Sequence, residues 1–155
     1  MSTSSCMSVA VLLLLVVGLS ACVSPQARVG DWERAISTHW TLTKLDGHDP
    51  LQTKDASVEP LTLELSGDGR AAGFAGVNRF FGQYESNPLG DLRFGALGST
   101  RMFRDDPVGL MDQEQQYLAA LGQVDAFRFQ SGQLVLLTAK KKRLVFTPTP
   151  EPDPA

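Results

Sequence analysis

The chain has 155 residues, of which 14 are basic and 17 acidic, for a formal net charge of −3 at pH 7. This length suits one domain with its own hydrophobic core. The chain has no cluster of basic residues along one face of the kind that nucleic-acid binding requires, so we expect no nucleic-acid partner.

The first element is an uncharged apolar run over residues 9–19, which ends at Leu19-Ser20-Ala21-Cys22. A bilayer span takes about 20 apolar residues, so this run is too short to cross a membrane but suits a signal-peptide core. Small residues before a cysteine resemble the bacterial lipobox, in which the cysteine sulfur takes a diacylglycerol and the chain is cut just before it. We therefore predict a lipoprotein signal peptide at 1–21 and attachment to the membrane through a lipid on Cys22. Residues 1–8 lack Lys and Arg, so an ordinary secretory signal or a weak membrane anchor is the alternative.

Two further segments flank the expected domain. Residues 22–30 contain Pro, Ser, Gln and Gly and predict a short tether, while residues 148–155 alternate Pro with polar residues and predict a disordered tail. The folded domain is then expected at 31–147. Packing alone must hold it, because Cys6 leaves with the signal peptide and Cys22 is lipidated, so no thiol remains for an internal disulfide.

Alternation of apolar and polar residues predicts short half-buried strands along the domain. They are expected at residues 40–46, 61–66, 70–74, 81–85, 92–96, 99–102, 126–130, 134–138 and 144–147. Because the connections are short, such as the hairpin turn Gly67-Asp68-Gly69, neighbouring strands should be antiparallel. We predict a mainly β (α+β) fold, a meandering sheet that is curled or barrel-like.

One segment has helical instead of strand periodicity, over Pro107 to Leu121. Asp105 and Asp106 precede the proline as candidate N-caps, and Gly122 stands where a C-terminal glycine cap belongs. The apolar residues of this segment share one face. That face comprises Leu110, Met111, Tyr117, Leu118 and Leu121. We expect it to cover the sheet or to plug the barrel.

Glu114 lies in the middle of that apolar face. A carboxylate there must be paired, hydrogen-bonded or protonated, since an uncompensated buried charge costs several kcal/mol. The candidate partners are Arg79, Arg101 and Arg104. Glu114 is either a general base or a structural pin whose oxygens accept backbone N–H groups or an arginine. The structural interpretation is favoured, because no second catalytic group is apparent.

The densest motif runs from Gly73 to Tyr84 and combines three glycines, Asn78 and several aromatic residues. The glycines let the backbone turn and pack closely, and Asn78 can hydrogen-bond to neighbouring backbone or adopt a left-handed conformation. Related short motifs lie on either side. They are Trp40-Thr41-Leu42, Ser99-Thr100-Arg101-Met102, and then Glu114, Tyr117 and Leu121. In this order they resemble the META domain family, which includes the HslJ-like heat-shock lipoproteins, over roughly residues 38–147.

This resemblance implies a small, mainly β fold like a cracked barrel around one helix, with no established enzymatic activity. It also implies an association with envelope stress and drug tolerance. The residues that match the family motifs are Trp40, Gly76, Asn78, Arg79, Phe80, Phe81, Gly82, Tyr84, Thr100, Arg101, Met102 and Glu114, with structural or binding roles. The family pattern commonly has cysteines where this chain has Val77 and Arg104, so the disulfide that the resemblance would imply is not expected.

Other chemistry has little support in the sequence. His39 and His48 have no ligand cluster near them, so we expect no metal and no cofactor. No nucleophile motif or phosphate loop is present, and we expect no enzyme. The basic run at residues 140–143 either meets anionic lipid headgroups or forms a solvated turn, and the turn is favoured.

We carry three functional hypotheses. The first is a monomeric, non-enzymatic lipoprotein that assists other envelope components under stress. Val23 is not the aspartate that commonly retains lipoproteins in the inner membrane, so the expected location is the outer membrane, facing the periplasm. The second is a binding module with an apolar groove for a lipid tail or a hydrophobic peptide. A large cavity lined by Phe80, Phe81, Phe127 and Phe129 would favour it, whereas a filled core would oppose it. The least favoured is a hydrolase that uses Glu114.

Overall fold

A computed structural model of the protein describes residues 29–149. The predicted signal peptide, the Cys22 lipid site, tether residues 22–28 and tail residues 150–155 lie outside the described residues.

Short antiparallel strands form one sheet in the described part of the chain. They are β1 (Trp40–Leu45), β2 (Thr62–Leu65), β3 (Arg70–Phe74), β4 (Arg79–Ser86), β5 (Leu92–Phe94), β6 (Gly98–Ser99), β7 (Val124–Gln130), β8 (Gln133–Thr138) and β9 (Arg143–Pro148). Their order is β5-β4-β3-β2-β1-β9-β8-β7, with β6 beside β4. The outer strands β5 and β7 approach each other, and the Phe127 N–H donates to the Gly90 carbonyl over 2.8 Å. The sheet is thus a nearly closed barrel, which confirms the predicted fold class.

Several strand limits differ from the prediction. The strand predicted at 99–102 ends at Ser99, because the N–H and carbonyl of Met102 bond to the side chain of Asn78 instead of a neighbouring strand. At the other end of the domain, β9 continues through Pro148, one residue beyond the predicted limit of 147. There Pro148 pairs with Trp40, and the Thr149 N–H donates to the His39 carbonyl over 2.8 Å.

A first helix, α1 (Val29–Ile36), was not predicted and begins inside the segment expected to be a tether. An isolated helix of this length is marginal in water, so its formation depends on packing. The ring of Trp32 lies 5.5 Å from that of Tyr84 and 5.2 Å from that of Phe127. These contacts with distant strands leave no local signal in the sequence.

The predicted helix is present as α2 (Leu110–Leu121), but it begins three residues later than Pro107. Gly109, with φ of 93°, directly precedes it. The Asp105 carboxylate accepts a hydrogen bond from the Gly109 N–H over 2.9 Å, four residues further along the chain. This carboxylate therefore supports the start of the helix. Gly122 follows the helix as predicted but has right-handed backbone angles.

The two helices close opposite ends of the barrel. At the lower end, where β1 begins and β9 finishes, the Trp40 indole N–H donates to the Ala35 carbonyl of α1 over 2.9 Å. The C-terminal part of α1 and Thr149 therefore both lie at this lower end. At the upper end α2 crosses the opening, and the Tyr117 hydroxyl donates to the Thr62 carbonyl over 2.9 Å.

Large side chains fill the space between the helices. Trp40, Phe80, Tyr117 and Phe146 are among the largest fully buried residues. The rings of Phe80 and Tyr117 meet edge to face with centroids 5.8 Å apart. Burial raises the pKa of Tyr117 well above its ordinary value of 10.0. The barrel interior is therefore a packed core.

Candidate functional site

Glu114 and Asn78 form a buried polar centre at the upper end of the barrel. Glu114 Oε2 accepts hydrogen bonds from the backbone N–H groups of Val77, over 3.1 Å, and Asn78, over 2.7 Å. Glu114 Oε1 accepts a third, from Asn78 Nδ2 over 2.8 Å. The two residues are 6% and 2% exposed. Both oxygens of the buried carboxyl group thus accept hydrogen bonds from N–H groups of the turn between β3 and β4.

Asn78 extends this centre to the loop after β6. Its Nδ2 also donates to the Met102 carbonyl over 3.0 Å, and its Oδ1 accepts from the Met102 N–H over 2.7 Å. The Thr100 hydroxyl donates to the same Oδ1 over 2.8 Å and accepts from the Arg79 N–H over 3.2 Å. Both hydrogens and both acceptor positions of the Asn78 amide are therefore used. We call Asn78 and Glu114, with these partners, the clamp.

The geometry of the clamp favours the structural interpretation of Glu114 over the catalytic one. Each oxygen already accepts a bond from the fold, and the donors are the backbone N–H groups that were one of the anticipated alternatives. The other alternative, an arginine, is not used. Within residues 29–149 no carboxylate lies within salt-bridge distance of Arg79, Arg101 or Arg104.

Three aromatic residues of the family motif belong to the core. Trp40 and Phe80 are fully buried, and Tyr84 packs against Trp32 of α1. The Tyr84 hydroxyl donates to the Ser66 carbonyl over 2.6 Å, and burial raises the pKa of this tyrosine above 10.0. These residues support the barrel.

The glycines of the motif are required by backbone geometry. Gly76 has φ of +115°, a conformation that residues with a side chain rarely adopt. A Cβ at Gly82 would lie 2.6 Å from Leu97 Cδ2 and 2.9 Å from the Ala96 carbonyl oxygen. Gly82 therefore allows the segment after β5 to pass close over β4.

The four phenylalanines whose shared cavity would favour a binding module do not line one cavity, and the filled core opposes a ligand inside the barrel. Phe80 and Phe127 are buried in the core, whereas Phe81 is exposed on the outer face of the sheet. Successive residues of a strand point to opposite faces, which separates Phe80 from Phe81. Phe129 lies against Trp40, with ring centroids 5.7 Å apart.

A groove of about 470 Å³ is present instead outside the barrel, between α2 and the upper ends of β1 and β9. Apolar residues on its walls include Leu45, Leu51, Ala119 and Ala120. Gln113 also borders it, a buried residue that the sequence analysis missed. Its Oε1 accepts from the Leu51 N–H over 2.6 Å, while its Nε2 has no partner within the described residues. Its position beside Glu114 on an amphipathic helix gave no signal of this contact.

The loop that leaves the clamp is exposed and carries apolar side chains. Met102, Phe103 and Val108 are 63%, 83% and 86% exposed. Arg101 and Arg104 lie beside them and are also exposed. We call residues 101–108 the tip.

The two positions at which the family pattern commonly has cysteines differ in burial. Val77 is buried and packs with Val58 and Leu110, whereas Arg104 is exposed on the tip.

His39 lies apart from these features, whereas His48 borders the groove. His39 Nδ1 is 3.0 Å from Glu64 Oε1, and His48 Nδ1 is 3.1 Å from the Asp46 carbonyl oxygen. Among residues 29–149 no group of three or more His, Cys, Asp or Glu residues is placed to hold a metal ion. The helices of the same region are too short or too polar to cross a membrane.

Comparison with known proteins places this architecture in a family. The META domain profile matches residues 33–151. A structure determined by NMR for a protein from Burkholderia xenovorans is 26% identical, with a TM-score of 0.63 over 97% of this chain and 99% of that one. A crystal structure of a DUF4847 family protein from Bacteroides vulgatus shares the fold at 13% identity, with a TM-score of 0.53 over 78% of this chain and 98% of that one. None of the curated proteins compared matches this chain. The chain belongs to the META domain family.

Proposed function

We propose that the protein is a lipid-anchored, non-enzymatic binding protein of the cell envelope that acts in envelope stress or drug tolerance. The observation that carries the proposal is the clamp, in which Glu114 and Asn78 have their hydrogen-bonding groups taken up by the fold. A catalytic acid or base must instead reach a substrate proton. Glu114 and Asn78 thus support a role in which they hold the loop after β6 in place.

The anchor is proposed from the lipobox-like Leu19-Ser20-Ala21-Cys22. A lipid on Cys22 would hold the domain at a membrane, and Val23 in the next position supports the outer membrane, on its periplasmic side. Intact-mass measurement of the membrane fraction tests this step. The wild-type chain should begin at Cys22 and carry acyl groups, and Cys22→Ser should lack them.

Cys6→Ser provides the matched control, because Cys6 lies in the segment expected to be removed. This variant should be lipidated like the wild type. A wild-type chain that begins elsewhere, or that lacks the acyl mass, would contradict the anchor.

The cellular role is tested by deletion and complementation. A deletion strain should survive heat or a membrane-permeating drug less well than its parent, and the wild-type gene should restore survival. Glu114→Gln, produced at a temperature where it remains folded, should also restore survival, because the proposal gives Glu114 no chemical step. Loss of function by a folded Glu114→Gln protein would favour the hydrolase.

The groove beside α2 favours a second candidate, a module that binds a lipid tail or a hydrophobic peptide. Its volume lies within the range of small-molecule sites, and the apolar part of its walls suits such a ligand, while Asp49, Lys142 and Arg143 supply charge at the same groove. Native mass spectrometry of protein purified from its host would reveal a bound ligand. Ala119→Trp, which fills the groove from the exposed side of α2, should remove that ligand, and absence of any ligand from the wild type would count against this candidate.

A further inference from the structure

We infer that the tip is a docking surface for another envelope protein, and that it fits an apolar pocket rimmed by carboxylates. The inference deepens the proposed function, because it names the surface by which the domain binds and the chemistry of its partner.

The first support is the exposure of three large apolar side chains on one short loop. Met102, Phe103 and Val108 all lie within residues 101–108 and are more than half exposed. Single apolar residues are common on surfaces, but several large ones exposed on one short loop are typical of interaction sites. Aromatic residues and methionine are enriched at the centres of protein interfaces, where a pocket of the partner removes them from water.

The second support is charge. Arg79, Arg101 and Arg104 have no carboxylate within salt-bridge distance in the described part of the chain. Two acidic residues, Asp105 and Asp106, follow on the same loop, so the three arginines exceed the loop's carboxylates by one positive charge. Hydrogen bonds from Ser57 and the charge of Arg104 lower the pKa of Asp55, although Arg104 and Asp55 are not within salt-bridge distance. Guanidinium groups bind carboxylates in a bidentate manner, so acidic residues around an apolar pocket would complement this surface.

The third support is rigidity. The clamp holds the backbone of Met102 through both its N–H and its carbonyl, directly before Phe103. The start of the loop is therefore ordered before binding, which lowers the entropy lost when a partner docks. A fixed shape of this kind suits a pocket of defined shape more than a fluid bilayer.

The fourth support is the position of the tip. The C-terminal part of α1 and the end of β9 lie at the lower end of the barrel, whereas the clamp and the tip lie at the upper end. β4 runs between these ends, and its eight residues span about 26 Å at roughly 3.3 Å per residue. The tip therefore lies at the end of the barrel opposite α1 and the end of β9, where a protein partner can reach it.

Site-specific photo-crosslinking in the host tests the inference. A benzoyl-substituted phenylalanine replaces Phe103 in the full chain, and the matched control carries it at Leu89, which is 76% exposed but lies in the turn after β4 at the lower end. We expect a discrete protein adduct from position 103 that is absent from position 89. The double variant Arg101→Glu, Arg104→Glu should reduce it by about tenfold or more. Mass spectrometry of the cross-linked peptide should find Asp or Glu residues at the partner's contact site.

Four results would overturn the inference. They are equal labelling from positions 103 and 89, an adduct with lipid, an adduct with a second copy of this chain, and a protein adduct that survives the charge reversal. Urea unfolding of the charge-reversed variant provides the folding control, because its midpoint should match that of the wild type.

The same cross-linking experiment in Cys22→Ser separates this inference from the anchor. An unlipidated wild type with the expected adduct would refute the anchor alone, while a lipidated wild type without it would refute the docking surface alone.

Discussion

The clamp and the tip are neighbours in the fold, but polar side chains are buried in the clamp and apolar side chains are exposed on the tip. In the clamp, Asn78 and Glu114 are buried and bonded to backbone. In the tip, Phe103 and Val108 are apolar and almost fully exposed. Met102 joins the two regions, since its backbone belongs to the clamp and its side chain to the tip.

This difference separates the part of the molecule with the most buried polar groups from the part that we propose binds a partner. A buried carboxylate beside an amide has the composition of a catalytic pair, but its bonds serve to hold two loops together. The exposed phenylalanine and its arginines contribute little to the fold. We therefore expect substitutions in the clamp to lower stability, and substitutions in the tip to change binding while stability is retained.

The largest expected effect is that of Glu114→Ala. This change leaves two backbone N–H groups and the Asn78 amide without their acceptor in a buried site, which should lower the free energy of unfolding by about 3 to 5 kcal/mol. Glu114→Gln should cost less, about 1 to 3 kcal/mol, because one acceptor oxygen remains. Urea unfolding of both variants measures these values. Wild-type stability in both would show that the clamp does not hold the fold.

Asn78→Asp tests the same site by charge. The new carboxylate would face Glu114 without the amide hydrogens, so we expect a loss of about 2 to 4 kcal/mol at pH 7. Gln115→Glu, on the exposed side of α2, is the control and should show a small effect. Wild-type stability of Asn78→Asp would contradict this account of the clamp.

Tyr117 should make the free energy of unfolding fall at alkaline pH. Burial raises its pKa in the folded state well above 10.0, while in the unfolded chain the phenol ionises near that value. Below pH 10 the neutral phenol makes its full contribution to the free energy of unfolding. As the pH rises above that value, this free energy should fall by up to about 1.4 kcal/mol per pH unit. Urea unfolding at pH 8 to 11 should show a shallower decline for Tyr117→Phe than for wild type. Parallel declines would argue against a buried, neutral Tyr117.

The smallest expected effect belongs to the tip. Phe103→Ser and Val108→Ser should each change the free energy of unfolding by less than about 0.5 kcal/mol, because both side chains are already in water. Phe80→Ala is the comparison in the core and should cost about 3 to 5 kcal/mol. Thermal or urea unfolding of these variants would measure the contrast. A large loss at Phe103 would mean that the tip packs against the barrel.

Local pattern was sufficient to predict most strands and the main helix. The alternation in β2 and the apolar face of α2 are properties of neighbouring residues, so they can be read along the chain. The special status of Glu114 was also visible, because it interrupts an apolar face.

Contacts between distant segments could not be predicted in this way. The donors to Glu114 lie 36 and 37 positions away along the chain, and nothing local distinguishes them from an arginine. The same reason applies to α1, whose Trp32 needs Tyr84 and Phe127 to pack against. Residues 99–102 alternate like a strand, but Asn78 takes the backbone groups of Met102 and leaves an exposed loop in its place.

Amide hydrogen exchange of the tip tests the central claim most directly. The Met102 N–H is bonded to Asn78 Oδ1, whereas the next amide, that of Phe103, has no partner within residues 29–149. We expect the Met102 amide to exchange at least about 100-fold more slowly than that of Phe103, and Asn78→Ala to remove this protection while the β8 and β9 amides stay protected. Equal exchange of Met102 and Phe103 in the wild type would contradict the clamp.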